Sequence, residues 1–351
     1  MSLKVLQIID TLNVGGAEKI TVMLANVLAQ KGNISGVVTL VEAGRLSKKL
    51  DKDVKFYNLE RKSKWDISST KEFFKIAQKY DLIHVHLRHN LKWLLFWKSI
   101  LREKLNIIFH DHGNTQLKWN ILFWIHRNIS HIFVNRKLYN SPSSCNAFFA
   151  RRFFLENSII TIKTTHDYSP DSNMLRMIIV SNLRRIKNIE FAINLADIFS
   201  KDRQIQLDIY YTNCEKEYLG ELQLQTKELG IEDSVHFIHN ETEPQEFFHK
   251  YDIALHPSKR ESGPLTILEY IAQGIPFVAF NTGQSVEIIQ KNYPEFTLDS
   301  FNENEWLVKM DAIIKTGRPK YQKSLKQFFE QHYSLDNYYT ECKKIYTESL
   351  V

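Results

Sequence analysis

Residues 253–280 read IALHPSKRESGPLTILEYIAQGIPFVAF: a short apolar run, a loop carrying Glu261 and Gly263, a helical pattern, and a second apolar run. Strand, loop, helix and strand in that order form the unit from which parallel sheets are built, because parallel neighbours need a crossover between them. A helix opening after Pro264 directs unpaired backbone N–H groups and the positive end of its dipole at whatever precedes it. Those amides can cradle a diphosphate while a carboxylate such as Glu269 accepts hydroxyls.

The same grammar extends outward in both directions. Before this stretch lie strand-like runs at 177–180, 207–211 and 235–238, separated by helix-length segments at 189–199, 217–229 and 244–250. An earlier round has strands at 5–9, 36–40, 82–86 and 107–110, with an amphipathic stretch at 17–31 and a further apolar segment at 73–79. A chain of 351 residues exceeds what one core usually organises, so two domains facing a cleft are expected. The expected fold is α/β, with two Rossmann-like doubly wound parallel-sheet domains at 1–165 and 166–325. The tail 326–351 is expected to close the chain, with Leu335, Tyr338, Tyr339, Cys342, Ile345 and Tyr346 at helical spacing, packed back on the first domain.

Composition sets the boundaries of function. With 43% apolar and 25% charged residues the chain can build a packed core. Cys145, Cys214 and Cys342 are too few and too dispersed for a disulfide framework or a zinc cluster, which suits a reducing cytoplasm. Residues 1–165 hold 26 Lys+Arg against 12 Asp+Glu, whereas 166–351 hold 20 against 28, so the first half attracts anions. The start MSLKVLQIID enters a strand without a signal-peptide pattern, and the apolar window 91–105 is too charged to span a bilayer.

Three further constellations carry chemistry. Gly15 and Gly16 stand between the first strand and the first helix, where they serve either an anion at the helix start or simply a tight turn. Arg184 and Lys187 crowd the start of the helix at 189–199, an unfavourable place for cations unless an anionic ligand offsets the helix dipole. His84, His86, His110 and His112 sit at the ends of two strands, where a parallel sheet presents its ligand crevice; their alternate spacing on separate strands is poor evidence for zinc, and no metal is expected.

Glu261 and Glu269 are eight positions apart, and the flanking AQGIPFVA (272–279) and TGQSVEII (282–289) accompany them. In these features the sequence resembles the retaining glycosyltransferases of family 4, which have the GT-B fold. The resemblance implies that Glu269 holds the donor ribose and that Glu261 contacts the transferred sugar. It places Ser262, Gly263, Pro264, Leu265, Thr266 and Ile267 along the diphosphate and sugar, and assigns leaving-group neutralisation to Lys187 and Arg184. His110, or else His112, would lie near the sugar. The family's usual start of the Arg–Lys segment reads Ser181-Asn182-Leu183 here, and its interdomain turn, near 162–167, lacks the customary Asn and Gly.

The expected activity is therefore metal-independent hexosyl transfer with retention, from a nucleotide sugar to a glycan or polyprenyl-linked acceptor, in polysaccharide or glycoconjugate biosynthesis. No cofactor and no nucleic acid are expected. Aromatics mixed with cations at 91–102 and 119–127 fit either an anionic membrane surface or core helices whose lysine stems reach outward, so the expected location is cytoplasmic, peripheral on the inner face of the membrane. The alternatives are a nucleotide-sugar epimerase or hydrolase of the same architecture, or a non-enzymatic anion- or nucleic-acid-binding protein. A nicotinamide enzyme is disfavoured because Gly15-Gly16 lacks the G-x-G-x-x-G spacing.

Overall fold

A computed structural model describes residues 2–112, 136–139, 152–162, 166–170, 173–240 and 243–350. The chain forms two compact units: Met1–Ile159 together with Leu335–Val351, and Ile160–Ser334.

The first unit contains strands β1 (Lys4–Thr11), β2 (Ile34–Glu42), β3 (Lys55–Asn58), β4 (Leu82–His86), β5 (Ile107–Asp111), β6 (Arg136–Tyr139) and β7 (Arg152–Phe154). Helices α1 (Gly16–Gln30), α2 (Ile67–Ala77) and α3 (Arg88–Leu101) join them. The sheet order is β3-β2-β1-β4-β5-β6-β7, with parallel neighbours. The period of two in the strands decides which side chains meet which helices. Leu6, Ile8, Ile83, Val85, Ile107 and Phe109 pack on one face with Phe73, Phe74, Trp93 and Trp97 from α2 and α3. On the other face lie Gln7, His84 and His86, one residue out of phase with that core.

The second unit contains β8 (Met174–Val180), β9 (Gln204–Tyr211), β10 (Val235–His239), β11 (Ile253–His256), β12 (Phe277–Phe280) and β13 (Thr297–Leu298). Its helices are α4 (Ile189–Ser200), α5 (Lys216–Glu228), α6 (Leu265–Ala272), α7 (Gln284–Asn292), α8 (Glu303–Thr316) and α9 (Arg318–His332). The parallel order β10-β9-β8-β11-β12-β13 reverses direction between β8 and β11. Both sheets are doubly wound, and the reversal lies between β1 and β4 in one and between β8 and β11 in the other. At such a switch point, loops leaving the two central strands diverge and open a crevice for ligand.

Two boundaries differ from the sequence expectation. Residues 160–162 belong to the second unit, because Gln245 donates to the Ile160 carbonyl at 2.9 Å and Gln273 donates to that of Ile162 at 2.9 Å. The expected closing segment 326–351 is divided between the units, and α9 stays with the second one. Buried Arg318 anchors it by donating to the carbonyls of Phe248 (2.5 Å), Tyr251 (2.6 Å) and Gln273 (3.2 Å). Only α10 (Leu335–Leu350) packs on the first unit, where the Tyr339 hydroxyl accepts from Asn33 at 3.0 Å and Tyr346 meets His84 at 2.6 Å. Segment 244–250 forms two 3-10 turns, Pro244–Glu246 and Phe248–Lys250, in place of a full crossover helix.

Candidate active site

The loops after β8, β11 and β12 meet at the switch point of the second sheet. The Lys259 amide donates to the Ile186 carbonyl at 2.9 Å, which ties the loop carrying Lys187 to the loop carrying Glu261. The Glu261 amide donates to Thr282 Oγ1 at 3.1 Å. Gly283, with φ of 86°, lies so close that an added Cβ would stand 3.2 Å from Ser262 and Pro264 and 3.3 Å from the Glu261 Cβ. A left-handed backbone pressed against a neighbouring loop requires glycine. These contacts explain why the two family-like segments 259–274 and 282–289 occur together.

Within this frame Lys187 Nζ donates to Glu261 Oε1 at 2.5 Å. His256, at the end of β11, brings Nε2 to 3.4 Å from the same oxygen. Burial alone would raise the Glu261 pKa, yet the imidazole and the ammonium outweigh it and hold the carboxyl down at about 2. Glu261 is thus a fixed carboxylate at any physiological pH. Glu269 is buried on α6, 3% exposed. Its neighbour Tyr270 accepts from the Val180 amide at 3.0 Å through its hydroxyl, which fixes α6 to the end of β8.

The structure therefore brings Lys187 and Glu261 into contact and carries Ser262, Gly263 and Pro264 in the loop before α6, with Leu265, Thr266, Ile267 and Glu269 within that helix. Arg184 it does not bring in: this residue is exposed at the start of the 3-10 turn Arg185–Lys187, and Arg185 is bound to Glu221 at 2.5 Å.

Gly15 and Gly16 lie in the first unit at the start of α1, where the Glu18 carboxylate folds back against Gly15. Burial raises the Glu18 pKa, and Asp10 adds to the rise. The chain's own acids thus stand where an anion was expected, which favours the turn-forming role of the glycines.

The histidines gather on the α10 side of the first sheet. His86 Nε2 donates to Gln7 Oε1 at 2.6 Å, which leaves its Nδ1 to accept from His112 Nε2 at 2.8 Å. His84 Nδ1 meets the Tyr346 hydroxyl at 2.6 Å. Burial, and then the neighbouring imidazoles, hold His84, His86 and His112 well below the usual histidine range, so the group is neutral. His110 is fully buried in the stack, whereas His112 keeps partial exposure at its end. One ring nitrogen from each of His84, His86 and His110 lies within 4.8 Å of the others, a set that could hold a metal ion. The rings are stacked, at 27° between His84 and His86 and 12° between His84 and His110. Their in-plane lone pairs run side by side instead of converging, so a tetrahedral metal would require the buried rings to turn.

Sequence reasoning gave Gln7 and His256 no role, and it placed Thr282 and Tyr346 in their segments without foreseeing their contacts. The first, third and fourth act through contacts distant in sequence, while His256 could have been noticed as one more histidine at a strand end. Trp119 to Arg127, one of the two aromatic and basic stretches, lies outside the described residues.

The chain also resembles known proteins. The profile of Glycosyl transferases group 1 matches residues 165–332, and that of Glycosyltransferase Family 4 matches residues 14–141. An uncharacterized glycosyltransferase of Haemophilus influenzae is 24% identical over 94% of this chain and 96% of its own. The N-acetyl-alpha-D-glucosaminyl L-malate synthase of Bacillus anthracis is 24% identical over 79% of each chain. Among solved structures, Anabaena HepE in complex with UDP and glucose superposes with a TM-score of 0.79 at 16% identity, covering 98% of this chain and 99% of that one. A glycosyltransferase from Rickettsia africae gives 0.80 at 17% identity, covering 99% of each.

Proposed function

Because the chain belongs to the GT-B glycosyltransferases of family 4 and group 1, we propose that it transfers a hexosyl group with retention, and without a metal, from a nucleoside-diphosphate sugar to a glycan or polyprenyl-linked glycan. The pathway in this reading is assembly of surface polysaccharide or a glycoconjugate. The observation that carries it is the Lys187–Glu261 contact just before α6, which sets one cation and one permanent carboxylate beside a helix start.

In the reaction the bond from C1 to the leaving phosphate oxygen breaks while the bond from C1 to the acceptor oxygen forms. Positive charge develops on the sugar and negative charge on the diphosphate. Lys187 and the first amides of α6 stabilise the anion; preorganised donors of this kind commonly supply several kcal/mol. Glu261 orients the sugar through its hydroxyls, Glu269 holds the ribose, and the acceptor proton passes to the leaving phosphate, so no side-chain nucleophile is needed. The neutral His112 offers the first unit a hydrogen-bonding group for a hydroxyl. In a thermal-shift panel of UDP, GDP and ADP, one diphosphate should raise Tm in the presence of chelator, since ligand selective for the folded state stabilises it. Silence from all three, or turnover lost in chelator and restored by manganese, would contradict the reading. An epimerase or hydrolase would consume the donor at full rate without acceptor.

A lipid-linked acceptor and a location at the inner face of the membrane draw support from one surface. On α3, Lys92, Phe96 and Ile100 follow one another at helical spacing on the solvent side, and Trp65 packs edge-on against Phe96 at 5.2 Å. Trp65 (56%), Phe96 (44%) and Ile100 (54%) are exposed, and Lys64 lies over the Trp65 ring at 5.2 Å. Apolar side chains rimmed by lysines suit the headgroup region of an anionic bilayer. No helix among the described residues is long and apolar enough to cross a membrane. Flotation with phosphatidylglycerol vesicles should be lost in a Trp65→Ser, Phe96→Ser double variant, and equal flotation on neutral vesicles would count against the contact.

A further inference from the structure

Two nitrogen donors approach a single oxygen of Glu261, and they differ in how they are held. Lys187 stands on a 3-10 turn after β8, partly open to solvent, with its head 2.5 Å from Oε1. Its backbone is secured by Lys259 and Ser258, both of which donate to the Ile186 carbonyl, at 2.9 Å and 3.4 Å. The ammonium can therefore swing on its four-carbon stem while the loop stays in place. His256 has no such freedom. It closes β11, pairs in register with Ala279 of β12, and is 3% exposed. Its Nε2 points at Oε1 from 3.4 Å, shielded from water and without a satisfactory hydrogen bond.

A buried donor left short of its bond is costly, and a carboxylate about to lose its cation needs a replacement. The geometry supplies each with the other. We propose that His256 is a positioning residue: when the donor's diphosphate draws Lys187 away, His256 closes on Oε1 and keeps Glu261 aimed at the sugar. This rests on the assignment of Lys187 to the diphosphate and Glu261 to the sugar made above. Before donor binds, the Lys187–Glu261 pair keeps both groups in place; afterwards Lys187 faces the diphosphate and Glu261 keeps a hydrogen bond from His256. No proton need be transferred in the exchange.

The test is calorimetry on the full chain with whichever of UDP, GDP and ADP stabilises it, and with a nucleotide sugar of the same base. His256→Leu should bind the diphosphate within about twofold of wild type yet lose the extra affinity contributed by the sugar, roughly tenfold for one hydrogen bond at a charged group. His256→Gln, whose amide nitrogen reaches near the place of Nε2, should restore most of it. Glu261→Gln should bind the diphosphate more tightly than wild type, because Lys187 is no longer committed. Wild-type affinity for the nucleotide sugar in His256→Leu would overturn the proposal, and so would parallel loss of both affinities or weaker diphosphate binding by Glu261→Gln. If no diphosphate binds even the wild type, the proposed function itself fails, and this inference with it.

Discussion

Both sheets end the strand across their switch point with a buried histidine, His86 on β4 and His256 on β11, but the surroundings are opposite in character. The groups bonded to His86 or stacked on it are neutral: the amide of Gln7, the imidazoles of His84 and His112, and beyond them the hydroxyl of Tyr346. Around His256 the charges are full, with Glu261 and Lys187 in contact. One fold position has thus been adapted to two kinds of chemistry. A neutral network suits hydroxyl recognition, since nothing in it must be discharged when an uncharged ligand arrives. An ion pair suits a ligand that is itself ionic and can take over one of the partners.

The sharpest way to break this contrast is to remove the carboxylate. Glu261→Ala should reduce transfer on the order of 10³-fold while leaving the protein folded; wild-type turnover would refute the assignment. Lys187→Ala should weaken nucleoside-diphosphate affinity roughly ten- to hundredfold, as expected when a charged hydrogen bond is lost, and calorimetry would register an unchanged affinity as failure.

Acid should separate the two regions next. The His84, His86 and His112 pKa values are lowered in the folded state, so the unfolded chain takes up more protons and the first unit should lose stability as pH falls below about 6.5. Glu261 is likewise lowered, from 4.5 to about 2, so the stabilisation its charge provides is present above pH 4.5 and is lost only as pH falls toward 2. Melting curves from pH 8 to pH 3 should show the first unit failing first, and the reverse order would contradict the comparison. The smallest effect is expected from Tyr346→Phe, which removes one hydroxyl from His84 and should destabilise the first unit by about 1 kcal/mol in denaturant titrations.

Much of this was legible in the residues alone, and the exceptions have physical reasons. The runs at 82–86 and 277–280 coincide with β4 and β12, since buried parallel strands read as continuous apolar stretches with sharp ends. Strands β3 and β13 escaped because they are short and lie toward the sheet edges, where pattern is weakest. The 91–102 stretch allowed two readings, core helix or membrane face, and α3 shows one buried side, Leu91, Trp93, Leu94 and Trp97, and one exposed side with Phe96 and Ile100. In the candidate site, Lys187 and Glu261 could be named because chemistry and spacing marked them. His256 could not be linked to Glu261 before β11 placed its ring against that carboxylate, nor Tyr346 to His84 across an interval of 262 residues.

The return of α10 to the first unit bears on how the protein is made. During synthesis, residues 160–334 emerge as a continuous stretch and can fold as soon as they clear the ribosome. The first sheet, although translated earlier, lacks the contacts of Tyr339 with Asn33 and of Tyr346 with His84 until Leu335–Leu350 is released. A C-terminal deletion that looks like the removal of a harmless tail would leave that older half permanently unfinished, exposed to proteases and to aggregation.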